Sequence, residues 1–205
     1  MLNNITIILL DDHSLFINGM KSIISNAYKN VSFRSFNSIG EFKDAKLKLV
    51  KFDIFISDLE LPNEDIFSFF KEIKSSSDIP ILVISMHQKI SLVRKCISIG
   101  IDGYILKNDD EYLIIAVQEI LQGKKYFSPK IRRLLNDYSL QKKLLSEREE
   151  QVIKYICEGQ SNSMIAKLLK ISIETVKTHK KNIKIKLGVS ETHELIDFAK
   201  KNILF

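Results

Sequence analysis

The chain has 205 residues, 45% of them hydrophobic and 27% charged, which points to a soluble globular protein with room for one large domain or two ordinary ones. No stretch approaches membrane-spanning length, and the opening MLNNITIILLDDHS carries no basic leader before its apolar run stops at Asp11, which speaks against a membrane helix or a signal peptide. Cys96 and Cys157 lie far apart without metal-ligand spacing and read as reduced core thiols of a cytoplasmic protein, while the net charge of +6 divides unevenly, with 13 basic against 16 acidic residues over 1–123 and 18 against 9 over 124–205.

In chain order, short apolar runs appear at ITIILL (5–10), VSFRSF (31–36), DIFIS (53–57), PILVIS (80–85) and GYILK (103–107). Segments of helical spacing lie between them, such as Leu15, Phe16, Met20, Ile23, Ile24 and Ala27, or Ile90, Val93, Cys96 and Ile97. Five strand–helix units in this order predict a flavodoxin-like, doubly wound five-stranded parallel sheet over residues 1–122. The first, third and fourth strands are apolar nearly throughout, as strands covered on both faces should be.

Residues 123–144 are charged, with Pro129 suited to a helix start, and read as a partly helical linker. From 145 to 205 no strand signal returns. SEREEQVIKYICEG opens with Ser146 and Glu149 in capping-box spacing, and three further helices follow it, predicting a smaller all-α domain.

The strand ends carry the chemistry. Asp11 and Asp12 follow the first strand, Asp58 the third, Ser85 the fourth and Lys107 the fifth, and in such a sheet these ends form one rim. A lone Asp58 would cap a loop as readily as act. Three carboxylates at close range repel, so a hard divalent ion such as Mg²⁺ belongs among them. With the ion present, Asp58 is the candidate nucleophile for an acyl phosphate, and Ser85 and Lys107 would hold the phosphoryl oxygens. His13 and His87 flank this rim and read as partly exposed polar residues.

DD at 11–12, DLELP at 58–62, VIS at 83–85 and GIDGYILK at 100–107 together resemble the receiver domain of bacterial two-component response regulators. That resemblance implies phosphorylation of Asp58 by a histidine kinase. It implies Mg²⁺ held by Asp12, Asp58 and the backbone carbonyl of Glu60, with Asp11 acting through water. Ser85 and Lys107 become the phosphoryl-binding pair, and Tyr104 matches the aromatic residue whose rotation reports phosphorylation, although alone it would read as core packing. Three departures stand out. Met86 occupies a usually small position and is expected to narrow the pocket, NEDI at 63–66 lacks the glycines common after Pro62, and Asn108 replaces a frequent proline.

In the basic tail, Ile173, Val176, Ile183 and Leu187 share one helical face, while Lys177, Lys181 and Lys184 share another, with Thr178 and His179 beside them and Lys180 and Lys186 on the flank. A solvated basic helix would look the same. Preceded by SNSMIAKLLK and a short break, however, the pair predicts a helix-turn-helix. LSERE, SNSMIA, TVKTH and KLGVS resemble the LuxR-type DNA-binding domain. By that resemblance Lys177, Thr178 and Lys181 contact bases or the groove, while Thr175, His179, Lys180 and Lys184 meet phosphates or support the helix.

The order receiver, linker, LuxR-type domain is similar to the NarL/FixJ family, which implies a phosphorylation-controlled transcription factor, not an enzyme, that binds promoter DNA as a homodimer. One rival reading is an Asp-dependent Mg²⁺ phosphohydrolase, with Glu60 and the Asp109–Asp110 pair supplying further acids. Another is a DNA-binding regulator independent of phosphorylation.

Overall fold

The computed structural model describes residues 4–202; of residues 138, 140–144 and 200–202 the backbone alone is described. Residues 1–3 of the first predicted domain and 203–205 of the second lie outside the described residues. The chain forms two compact units, the first built largely from residues up to Arg132 and the second largely from Arg133 onward.

The first unit is an all-parallel sheet in the order β2-β1-β3-β4-β5-β6. Its strands are β1 (Ile5–Leu10), β2 (Val31–Phe36), β3 (Ile54–Asp58), β4 (Ile81–Ser85), β5 (Gly103–Leu106) and β6 (Tyr126–Phe127). The helices between them are α1 (Ser14–Ala27), α2 (Ile39–Asp44), α3 (Ile66–Ser76), α4 (Ile90–Ile99) and α5 (Leu113–Leu121). β3 and β4 are buried at every residue because helices cover both faces, whereas β2 alternates and lies at an edge. The sixth strand departs from the five expected. Tyr126 and Phe127 pair with Gly103 and Tyr104 and add a two-residue edge, too short to leave a periodic signal in a charged segment.

Alternation along the strands divides the core. Ile7, Leu9, Ile54, Ile56, Leu82, Ile84 and Ile105 pack with Ile17, Met20 and Ile24 of α1 and with Leu113, Ala116, Val117 and Ile120 of α5. Each of these side chains larger than alanine contributes roughly 1.5–3 kcal/mol when fully buried. On the opposite face Phe42 of α2 stacks on Phe36, Phe55 and Phe69, with ring centroids 5.2–5.5 Å apart. The helical spacing of α1 is right in outline, but Leu15 in its first turn is 88% exposed.

The second unit takes in most of α6 (Pro129–Leu144), followed by α7 (Glu147–Cys157), α8 (Asn162–Leu169), α9 (Ile173–Leu187) and α10 (Thr192–Asn202). Ser146, Ser161 and Ser172 cap α7, α8 and α9, and Ser146 with Glu149 forms the full capping box. Glu149 also meets Lys186 of α9 at 2.7 Å. Burial alone would raise its carboxyl pKa, but Lys186 and the Ser146 hydrogen bonds outweigh that and hold it below the ordinary glutamate range. Val152, Ile153 and Ile156 pack with Ile165, Val176, Ile183, Leu195 and Ala199 as one core. Ile173, placed on the apolar face by its spacing, is 44% exposed, because as the first residue of α9 it has no preceding turn to lie against.

Candidate phosphoryl-acceptor rim and nucleic-acid interface

Strand register brings the predicted site residues together. Leu10 pairs with Ser57 and Asp58 with Ile84, so Asp11, Asp58 and Ser85 stand at neighbouring strand ends. Ser85 pairs with Leu106, and the next residue, Lys107, donates its backbone N–H to Ser85 at 2.9 Å. The chain reverses direction across the sheet between β1 and β3, which is where a crevice opens in this topology. A cleft of about 510 Å³ occupies that position, lined by Asp12, His13, Asp58, Glu60, Met86 and Lys107 among others.

Lys107 is the electrostatic centre of the rim. Its Nζ lies 2.7 Å from Oδ2 of Asp58 and 2.8 Å from Oδ2 of Asp11, with only 11% of its side chain exposed. Asp58 Oδ1 also accepts the Leu59 N–H at 2.6 Å. Burial pushes the Asp58 carboxyl above the ordinary aspartate range, and Lys107 pulls back only part of that rise. The same burial works against the ammonium, but the two carboxylates prevail and hold Lys107 above the usual lysine value. The ammonium that Asp58 shares with Asp11 thus offsets only part of the desolvation of Asp58.

The three carboxylates of the rim fit a hard cation. One ligand atom each from Asp11, Asp12, His13 and Asp58 all lie within 4.8 Å of one another. Oδ2 of Asp11 and Oδ1 of Asp12 are shut off from solvent and accept no well-aligned hydrogen bond. Lys107 Nζ lies 2.8 Å from the first and His13 Nδ1 3.0 Å from the second.

The loop after Asp58 is pinned without the missing glycines. Asn63 takes the left-handed conformation at φ 60°, a region Asn tolerates better than most side chains. The Glu64 carboxylate accepts the backbone N–H of Ile39 at 2.9 Å and ties the loop to the start of α2. Glu60 itself is exposed, and its side chain contacts His87 Nε2.

Ser85 is fully buried, and its Oγ accepts the His87 N–H at 3.1 Å. Tyr104 is also fully buried, with its ring turned inward and its hydroxyl donating to the His87 carbonyl at 2.6 Å. Burial pushes that hydroxyl's pKa well up. Met86 lines the cleft but is 68% exposed, so its side chain stands at the rim. Of the rival reading's acids, Asp109 faces elsewhere. It is buried against Ser128 Oγ at 2.9 Å and Lys130 Nζ at 3.0 Å, beside β6 and the start of α6.

In the second unit, α8 ends at Lys170 in the left-handed conformation, and α9 begins after Ser172. This tight turn gives the helix-turn-helix geometry. Lys177, Thr178 and Lys181 are exposed, while Thr175, His179, Lys180 and Lys184 are half-buried. Lys177 pairs within the helix with Glu174 at 2.7 Å, and Lys180 donates to Asn162 of α8 at 3.2 Å. Burial, then the Lys184 charge, lower the Lys180 pKa. Asn182 and Ile185 also lie on the exposed face of α9, which a search for charge alone does not find.

Residues 7–118 match the response regulator receiver domain, and residues 143–199 match the bacterial regulatory proteins of the luxR family. The chain belongs to the NarL/FixJ family of response regulators. The regulator is 30% identical to the transcriptional regulatory protein DegU of Brevibacillus brevis, over 98% of this chain and 94% of that one. It is also 30% identical to the oxygen regulatory protein NreC of Staphylococcus epidermidis, over 97% and 98% of the two chains. Its fold is similar to that of the Salmonella typhimurium RcsB response regulator, with a TM-score of 0.74, 27% identity and 96% and 100% of the chains covered. A structure of two RcsB dimers on two parallel DNAs matches with a TM-score of 0.61 at 26% identity, over 97% and 99% of the chains. The regulator is therefore a transcriptional response regulator with a receiver and a LuxR-type DNA-binding domain. Among the described residues no helix is long and apolar enough to cross a membrane.

Proposed function

We propose that the regulator accepts a phosphoryl group on Asp58 from a histidine kinase and, so modified, binds promoter DNA as a homodimer in the cytoplasm. The observation that carries this reading is the shared Lys107 ammonium, 2.7 Å from Asp58 and 2.8 Å from Asp11 at the floor of an open acidic cleft. The proposed division is a receiver over 1–122, a linker over 123–144 and a DNA-binding domain over 145–205.

In the proposed step, a carboxylate oxygen of Asp58 attacks phosphorus, the phosphorus–nitrogen bond of the phosphohistidine breaks, and the imidazole leaves with its electron pair. Asp12, Asp58 and the Glu60 carbonyl would hold Mg²⁺, with Asp11 acting through water. When bound, Mg²⁺ offsets the charge of the carboxylates and of the incoming phosphoryl oxygens. Lys107 exchanges its contact with Asp58 for a phosphoryl oxygen, and the Ser85 hydroxyl donates to another. Slow hydrolysis of the acyl phosphate resets the site.

Ser85 and Tyr104 both grip residue 87, one through its N–H and the other through its carbonyl. A phosphoryl group that recruits Ser85 therefore shifts the β4–α4 loop, and Tyr104 fixes the shifted position. That makes the receiver a two-state element biased by one covalent group. In the second domain, Lys177, Thr178 and Lys181 face base edges, while Thr175, His179, Lys180 and Lys184 meet phosphates or support α9. Two such helices in a dimer would read half-sites about one DNA turn apart.

The phosphohydrolase reading loses Asp109 from its second acid pair, since that carboxylate is engaged with Ser128 and Lys130. Beryllofluoride with Mg²⁺ is expected to shift the regulator toward dimer in analytical ultracentrifugation. It is also expected to tighten binding to duplexes selected from a random pool. Asp58→Ala should show neither response; a beryllofluoride response that survives this substitution would contradict the acceptor role, and wild-type binding blind to beryllofluoride would favour the phosphorylation-independent regulator.

A further inference from the structure

We propose that His13 is an additional ligand at the acidic rim, so that a mixed nitrogen and oxygen donor set raises the site's affinity for a first-row transition ion such as Mn²⁺ or Co²⁺ relative to Mg²⁺. The inference deepens the receiver reading, from which it takes only the place of the ion. Nδ1 of His13 lies 3.2 Å from Oδ1 of Asp11 and 3.0 Å from Oδ1 of Asp12. With Asp58 added, the four donors fall within 4.8 Å of one another. Donors bound at roughly 2.0–2.2 Å to a single ion stand up to about 4.4 Å apart, so a small inward movement completes the set.

The backbone of His13 is held in place for this role. Its carbonyl accepts the N–H groups of Phe16 and Ile17 at 2.9 and 3.1 Å, and its own N–H donates to Asp11 Oδ1 at 2.8 Å. It occupies the N-cap position of α1, where Ser, Thr, Asp or Asn would ordinarily be favoured, yet its side chain makes no capping hydrogen bond. The imidazole is instead turned to the carboxylates. Its side chain is 68% exposed, so it can rotate onto an ion without disturbing the core. His87, the other histidine at the rim, is engaged with Glu60. Asp11 and Asp12, which belong to this cluster, each keep one buried carboxylate oxygen without an aligned donor.

The chemistry sets the direction of the preference. Mg²⁺ selects oxygen ligands and retains its waters, whereas an imidazole nitrogen strengthens binding of ions further along the Irving–Williams order. His13 therefore raises affinity for Mn²⁺ and Co²⁺ relative to Mg²⁺.

The test uses the full-length regulator with Mn²⁺ as the probe, read by pulsed electron paramagnetic resonance and by competition titration against Mg²⁺. A directly bound ¹⁴N coupling is expected in the wild type. In His13→Asn, which keeps a favourable N-cap, that coupling is expected to vanish, and the Mn²⁺ to Mg²⁺ affinity ratio to fall about tenfold. Bound Mn²⁺ that competes with Mg²⁺ but shows no nitrogen coupling would overturn the proposal and leave the receiver reading intact. A coupling that persists in His13→Asn would assign the nitrogen elsewhere and equally overturn it. If neither ion binds, this proposal and the metal-dependent receiver site fall together.

Discussion

Replacing Lys107 with Met is expected to lower the folding stability of the receiver by about 3–5 kcal/mol at neutral pH in the absence of divalent ions, the usual cost of breaking a buried ion pair. The substitution conserves much of the volume but leaves Asp11 and Asp58, at 0% and 5% exposure, without the cation they share. The pH dependence follows from the direction of the Asp58 shift. Its folded pKa is raised, so the native state binds more protons than the unfolded chain above the unfolded value of about 3.8. Stability therefore falls as pH rises through the window from that value to the folded pKa. The Lys107→Met loss should be smallest in acid, where Asp58 is protonated, and should grow as pH rises through that window. Mg²⁺ at a hundred times its dissociation constant should add about 2.7 kcal/mol to the wild type, and it should restore part of the variant's loss. Urea unfolding at several pH values, with and without Mg²⁺, checks all three effects; a variant within about 0.5 kcal/mol of wild type throughout would show that Lys107 does not carry the rim's electrostatics.

The second large effect lies on α9. Lys177→Ala with Lys181→Ala is expected to weaken binding to selected duplexes by roughly a hundredfold or more, since each direct base contact is worth about 1–3 kcal/mol. If one or both lysines meet phosphates instead, the loss should be uniform across sequences, and the salt dependence should flatten by about one unit of slope for each. Stability should hardly change. Both lysines are exposed, and the Lys177 pair with Glu174 is a surface contact within one helix, of the kind that contributes little. Fluorescence anisotropy over a salt series, with circular dichroism as the folding control, separates these outcomes. Unchanged affinity in a folded variant would remove this face from the interface.

Much of the fold could be read from the sequence because its cause is local to each strand. β1, β3 and β4 are covered on both faces, so they are written as nearly continuous apolar runs, and the strand ends mark the rim where Asp11, Asp12, Asp58, Ser85 and Lys107 gather. The capping box of Ser146 and Glu149 at α7 is legible for the same reason, since a cap and its target lie three residues apart. What escaped depends on register or on the third dimension. β6 is two residues long and owes its place to pairing with Gly103 and Tyr104, not to any pattern of its own. Asp109 reads as the start of a helix, and only the return of Ser128 and Lys130 explains why a carboxylate is buried there. His13 looked like a polar bystander because the turn into α1, which directs its ring back toward Asp11 and Asp12, is a matter of backbone angles. The adjacency of His13 to the acidic pair was the available signal.

The proposed phosphorylation is a single covalent event, and it can be located directly. The regulator would be incubated with acetyl phosphate and Mg²⁺, the acyl phosphate reduced with borohydride, and the modified residue identified by peptide mass spectrometry. The account predicts one modified position per chain, Asp58, and no modification in Asp58→Ala. Modification at another residue, or labelling that persists in that variant, would contradict it.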